Sequence, residues 1–423
     1  MSRVLLATDA FPPVCGGSGW STWELARGLR DRGHQVLVVQ PKPGQADDAR
    51  TEYDGFVVFE VASPAPAVPF LRNYIKNERL WQRLAGELAT VIAHDHVDIV
   101  HAQHVLTAPA AVRAARATGR PVVCTVRDYW PVCYWGTLIH DPEAADLCPA
   151  CTPGMMSHCV RPRAGAAWPL ALPLIPYMRG NLRRKQETLA DANAVVAVSR
   201  AIARDLRARS PYLAETRIEV IPNPVNLPDL DVAARDTRPP LPGDYAVFMG
   251  KLEVNKGVQF LLPAAERAGL PWPLMVIGDG ALRPSLEAEA KRLGRDVRFT
   301  GWLARGKALA CLAHASLLIF PSYGPESLSR VLLEAAALKV PIAAMDTGGT
   351  SDIVKHEQTG LLASTPDELA DSIRRLVTNR TIGRTLASEA RLLVERAFAT
   401  PHVAHRIEGL YAELLEDRDR THD

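Results

Sequence analysis

Short, uninterrupted apolar runs alternate with helical patterns along this chain, and the alternation occurs twice. The first series holds "RVLLATD", "HQVLVVQ", "VDIVHAQH", "PVVCTVRD" and "AVVAVS". The second holds "YAVFMGK", "PLMVIGDG", "VRFTGW", "SLLIFPS", "PIAAMD" and "GLLA". Runs without polar alternation suit strands covered on both faces, which is the condition of a parallel sheet flanked by helices. Between the first two runs, Trp20, Leu25, Gly28 and Leu29 recur at helical spacing, and Gly33 closes the helix at a C-cap position.

Strands alternating with helices predict an α/β chain with two Rossmann-like, doubly wound domains. At 423 residues the chain exceeds one core of ordinary size. The Pro- and Asp-rich stretch 223–243 has little periodicity and is expected to be a linker. This predicts an N-terminal domain at 1–222 and a C-terminal one at 244–397, facing one another. A last helix at 398–423 is expected to pack back on the first domain. Ligands of such sheets bind at the carboxyl ends of the strands, so the expected site is the interdomain cleft.

Charge and cysteine usage narrow the function classes. The 49 basic residues nearly balance 47 acidic ones, so no global field draws in nucleic acid. The apolar run before Thr8 and Asp9 is too short for a signal-peptide core, and no uncharged segment of roughly 18 residues is present to span a membrane. A cytoplasmic chain is expected, with its seven cysteines reduced. A dinucleotide oxidoreductase is disfavoured: Gly16 to Gly19 lack the G-x-G-x-x-G spacing, and the second strand ends in Gln40 rather than an acid. The loop is either a flexible turn or a place where backbone N–H groups approach a phosphate or sugar.

Glu326 and Glu334 flank an apolar segment in which Leu328, Val331, Leu332, Ala335 and Leu338 have helical spacing. A helix beginning near 325–327 would put the two acids roughly 12 Å apart along its axis. Paired acids of glycoside hydrolases stand about 5 to 9.5 Å apart, so that chemistry is disfavoured. A sugar joined to a nucleoside by a diphosphate fits better, with one acid at the sugar, the other at the ribose, and the diphosphate at the helix N-terminus. The alternative is a capping Glu326 and a solvated Glu334. Lys251 and Lys256 in "GKLEVNKG", Gly278 in "GDG", and "DTGG" all end strands of the same half.

In their order, "FPPVCGGSGWSTWELARGLRDRGHQVLVV", "VIPNPV", "GKLEVNKG", "GDG", "FTGW", "ESLSRVLLEA" and "DTGG" resemble family 4 of the glycosyltransferases, which have the GT-B fold. The resemblance spans nearly the whole chain. It implies retaining transfer from a nucleoside-diphosphate sugar to a glycan or lipid-linked acceptor in envelope or exopolysaccharide synthesis, with no metal required. It places Lys251 and Lys256 on the diphosphate, Glu326 on the donor sugar and Glu334 on the ribose. Ser327, Leu328 and Ser329 would offer N–H groups; Gly17 and Gly278 would approach the donor, and Gly16 the acceptor side. Members usually carry Arg at the first of the two lysines, and Lys lacks its planar fork. Rival classes are a GT-B nucleotide-sugar epimerase, a phosphorylase, for which no pyridoxal-phosphate lysine motif is evident, and a non-catalytic nucleotide-sugar-binding protein.

The chain departs from the family where His often precedes Asp: it has Arg127 before Asp128. Arg stays protonated and cannot serve as a base. Arg127 is expected to bind an anion and Asp128 to orient the acceptor hydroxyl, or the two to form a structural pair. His101 and His104 are expected on the acceptor face or in the core. Cys133, Cys148, Cys151 and Cys159 fall in one insert, 133–159, with the C-x-x-C spacing of a structural zinc or iron–sulfur site; incidental thiols are the alternative. Finally, Trp168, Leu170, Leu172, Leu174 and Ile175 precede Arg179, Arg183, Arg184 and Lys185. This pattern fits a segment lying on the anionic inner face of a cell membrane, or a packing helix.

Overall fold

The structure, a computed structural model, describes residues 1–67, 74–141, 146–235 and 238–422. Its contacts divide the chain into two units. The first contains Met1–Gly136, Pro173–Pro224 and Thr400–Asp423; the second contains Thr137–Leu172 and Val225–Ala399. Residues 137–172, expected within the first domain, thus group with the second unit, and the last helix, Thr400–His422, groups with the first.

The first unit holds an eight-stranded sheet. In spatial order its strands are Ile218–Val220, Ala194–Ala197, Val122–Val126, Ile99–Ala102, Arg3–Ala7, Gln35–Pro43, Phe56–Ser63 and Ala49–Tyr53. All pair in parallel except the edge strand Ala49–Tyr53. Strand order reverses between Arg3–Ala7 and Ile99–Ala102. The core gathers Val4 and Leu6, Leu25 and Leu29 of helix Gly17–Asp31, and Val403, Ile407 and Tyr411 of the last helix.

The second unit holds a six-stranded parallel sheet. Its order is Val297–Gly301, Leu274–Ile277, Ala246–Met249, Leu317–Phe320, Ile342–Met345 and Leu361–Ala363. Every apolar run read as a strand is one. Here the reversal lies between Ala246–Met249 and Leu317–Phe320. The stretch expected to be a linker contains a helix, Leu227–Arg235, anchored by buried Leu230 and by Asp231, which accepts from Arg391 Nη1 at 2.7 Å. Its short length and single buried apolar residue left no periodic signal.

Candidate functional site

A doubly wound sheet offers a crevice where strand order reverses, because the two flanking loops diverge to opposite faces. In the second unit those loops follow Met249 and Phe320. They are stapled by one carbonyl: Asn255 O accepts from Tyr323 N at 3.1 Å and Gly324 N at 2.8 Å. The staple sets Lys256, at the end of the turn Val254–Lys256, against Glu326. Lys256 Nζ donates to Glu326 Oε1 across 2.6 Å, and Ser322 Oγ donates to the same oxygen. Glu326 is buried, while Lys256 keeps part of its surface open.

A third strand end closes on this pair. Gly349 N donates to Glu326 O at 2.7 Å, and Thr347 Oγ1 donates to Ser322 O at 3.1 Å. Gly348 has φ +54°, and a Cβ there would lie 2.1 Å from Glu326 O, so glycine is required twice over. Gly278, with φ +132°, passes the Gly250 carbonyl so closely that a Cβ would lie 1.9 Å from its oxygen. Lys251 stands apart, exposed and 3.9 Å from Glu253.

The helix after Glu326 starts later than expected. It spans Arg330–Ala337 with Ser329 as N-cap. Glu326 cannot begin it, because its carbonyl is taken by Gly349 rather than by a residue four positions on. The first-turn N–H groups are therefore those of Arg330, Val331 and Leu332, not Ser327, Leu328 and Ser329, and the axial 12 Å argument does not apply. Glu334 is not solvated. It is 2% exposed, and its Oε1 takes Arg330 Nε at 2.9 Å and Arg305 Nη1 at 2.8 Å. Arg305 begins another helix, Arg305–Ala313, and nothing in the sequence linked it to Glu334.

In the first unit, Gly16 is the N-cap of helix Gly17–Asp31, with open space where a side chain would stand. Arg127 turns toward that helix: Nη1 donates to Ser18 O at 3.1 Å and Thr22 Oγ1 at 2.9 Å, and Nη2 donates to Gln103 Oε1 at 2.5 Å. It ties the glycine loop to the neighbouring strand end. Asp128 faces the other way, toward His104, with Nε2 to Oδ2 at 3.0 Å. His104 Nδ1 accepts from Leu106 N at 3.2 Å, so Nε2 carries the proton that points at Asp128. Asp128 Oδ1 accepts from Trp130 N at 2.9 Å.

His101 takes the core alternative: it is fully buried between Tyr411 Oη and Thr125 Oγ1, each at 2.6 Å. Burial, with Arg127 nearby, lowers its pKa to about 3 and keeps it neutral. Of the four cysteines in the insert, Cys133, Cys148 and Cys159 are buried, Cys159 on helix Pro153–Ala164, and the Cys148 thiol donates to Ala150 O at 3.2 Å. Among the described residues no three His, Cys, Asp or Glu side chains are grouped to hold a metal ion.

Residues 15–228 match the family model "Glycosyltransferase Family 4", and residues 243–379 match "Glycosyl transferases group 1". A glycogen synthase of Mycobacterium tuberculosis is 27% identical over 97% of this chain and 94% of its own length. Three further curated relatives align over only 45%, 48% and 42% of their own lengths. Among solved structures, sucrose-phosphate synthase from Thermosynechococcus elongatus has a TM-score of 0.73 at 20% identity, covering 98% of this chain and 100% of that one. Anabaena HepE in complex with UDP-glucose has a TM-score of 0.64 at 18% identity, covering 98% and 100%.

Proposed function

Because the chain belongs to glycosyltransferase family 4 and has the GT-B fold of two Rossmann-like domains, we infer that it moves a sugar from a nucleoside-diphosphate sugar to a glycan or lipid-linked acceptor with retention of configuration. The observation that carries this reading is the Lys256–Glu326 pair at the strand-order reversal of the second unit. A partly open ammonium and the first-turn N–H groups of helix Arg330–Ala337 suit a diphosphate. The HepE structure with UDP-glucose supports a donor of this class.

The donor diphosphate takes Lys256 from Glu326, leaving that carboxylate toward the transferring sugar. Its negative charge then gains value as the sugar carbon becomes positive, while Lys256 meets the charge growing on the leaving diphosphate. This division of labour requires no metal ion. Glu334, held by Arg305 and Arg330, addresses the ribose. In the first unit, Asp128, fixed by His104 and the Trp130 N–H, orients the acceptor hydroxyl.

No helix among the described residues is long and apolar enough to cross a membrane. Leu170 is 84% exposed, Leu174 is also exposed, and Arg179 follows at the surface. These residues support a peripheral seat on the inner membrane face, with which a role in envelope or exopolysaccharide synthesis would accord.

The test is thermal shift and nucleoside-diphosphate release with a panel of nucleotide sugars, followed by NMR of the product's anomeric proton. A protein that is neither stabilised by nor consumes any of them overturns the reading; an inverted product overturns retention.

A further inference from the structure

Beside the His104–Asp128 pair, a cleft of about 360 Å³ runs between helices Ala108–Ala117 and Ile175–Ala190 of the first unit. Val105, Leu106, Pro109 and Val112 give it an apolar wall. Two polar side chains on its opposite wall are buried yet unsatisfied. Lys185 is 6% exposed, and its Nζ has no hydrogen-bond partner among the described residues; it lies 4.9 Å from the centre of the Trp130 ring. Asn181, one turn earlier and 3% exposed, donates through Nδ2 to Glu78 at 3.0 Å but leaves Oδ1 unpartnered.

An unpaired buried ammonium and an unpaired buried carbonyl each carry a desolvation cost that a ligand can relieve. The nearby carboxylates do not relieve it. Glu78 is engaged by Asn181 and by Arg184 Nη2 at 2.5 Å, and Asp128 by His104. The cleft's own charges favour an anion: Arg113, Arg116, Arg184 and Lys185 stand against Glu187 and Asp191.

We propose that this cleft binds an anionic polyol, a sugar or cyclitol carrying a phosphate or carboxylate. Both atoms are closed to solvent in the free protein, so Lys185 turns its Nζ toward the cleft to pair with the anionic oxygen, and Asn181 turns its Oδ1 to accept from one of the hydroxyls. Burial lowers the Lys185 pKa to about 8, against the opposing pull of Asp128 and Glu78, so the side chain is still mostly a cation at neutral pH. Leu106 both lines the cleft and donates its N–H to His104, whose other ring nitrogen faces Asp128, so the imidazole links the cleft to that carboxylate. The ligand's identity as the acceptor rests on the proposed transfer reaction; its binding does not.

Calorimetry on the full chain tests the assignment with glucose 6-phosphate, inositol 1-phosphate and glucuronate, against glucose, inositol and inorganic phosphate. Uridine diphosphate serves as a control for the second unit. The charged polyols are expected to bind at least about tenfold more tightly than their neutral parents. Lys185→Met should erase that preference, leave uridine diphosphate affinity unchanged and raise the melting temperature of the free protein. Asn181→Leu should weaken the charged polyols as well, and it provides the test if the first variant fails to fold. The assignment is overturned if Lys185→Met or Asn181→Leu keeps wild-type affinity, if inorganic phosphate binds as well as the phosphorylated polyols, or if no charged polyol binds at about 10 mM. A wild type that binds none of a panel of nucleoside diphosphates would instead count against the transfer reaction.

Discussion

Lys256 Nζ and Glu326 Oε1, 2.6 Å apart, join the loops that leave two neighbouring strands at the point where the sheet changes direction. Each group satisfies the other in the free protein, and each is assigned a different part of the donor. Substitutions should therefore separate them.

Lys256→Ala is expected to weaken nucleoside-diphosphate binding about ten- to hundredfold, the usual worth of a hydrogen bond to a charged group. Glu326→Gln should leave that affinity near wild type and lower turnover, because the carboxylate acts on charge that develops at the sugar. Calorimetry with nucleoside diphosphate and turnover of each folded variant decide the matter; equal effects of both substitutions on binding would contradict the assignment.

Glu334→Ala should both destabilise the protein and weaken nucleoside-diphosphate binding. It leaves the guanidinium groups of Arg305 and Arg330 without their shared carboxylate, a loss of about 3 kcal/mol in denaturant unfolding. Adding Arg305→Met should recover part of the stability but none of the affinity. Recovery of affinity in the double variant would remove Glu334 from the ribose.

His101 makes an acid-linked contribution with a defined sign. Its pKa falls to about 3 in the folded protein, chiefly through burial, against about 6.5 in an unfolded chain. Below pH 6.5 the unfolded state takes up a proton that the folded state refuses. Stability therefore declines from about pH 6.5 down to about pH 3, by up to about 1.4 kcal/mol per pH unit. Urea titrations across this range should show a shallower decline for His101→Gln than for wild type.

Leu170→Ser with Leu174→Ser should reduce co-flotation with vesicles containing anionic lipid, and the wild-type association should weaken as salt rises. Equal flotation with neutral vesicles, or no effect of the two substitutions, would contradict a membrane seat for this segment.

What the sequence revealed follows from how each feature is encoded. Parallel strands covered on both faces are written as continuous apolar runs, so "SLLIFPS" and "PLMVIGDG" were legible down to their carboxyl ends. The edge strand Ala49–Tyr53 was not, since it is largely solvent-facing and carries polar residues. The start of helix Arg330–Ala337 was misplaced because Leu328 extends the apolar period, while the event that forbids helix at Glu326 is a hydrogen bond from Gly349 on another strand end. Distant pairing is likewise silent: Arg305 on Glu334, and His104 on Asp128, each join segments that only the sheet brings together. Lys185 was read with its basic neighbours as part of either a membrane-surface segment or a packing helix. Helical phase turns it inward, while Arg183 stays outside and pairs with Glu187 at 2.7 Å.

The first unit takes its last helix from the far end of the chain. Tyr411 supplies the hydroxyl under His101, and Thr400 and Ala404 lie where a side chain at Gly28 would stand. During synthesis this gives an inverted order of completion. The second unit, whose residues end at Ala399, has all its parts as soon as that residue leaves the ribosome. The unit that begins the chain must wait, with a face of helix Gly17–Asp31 uncovered, until the final helix emerges. A nascent chain released just short of Tyr411 would thus carry a finished second unit beside a first one still open, and a chaperone that holds such chains would be expected to grip the earliest-made residues rather than the latest.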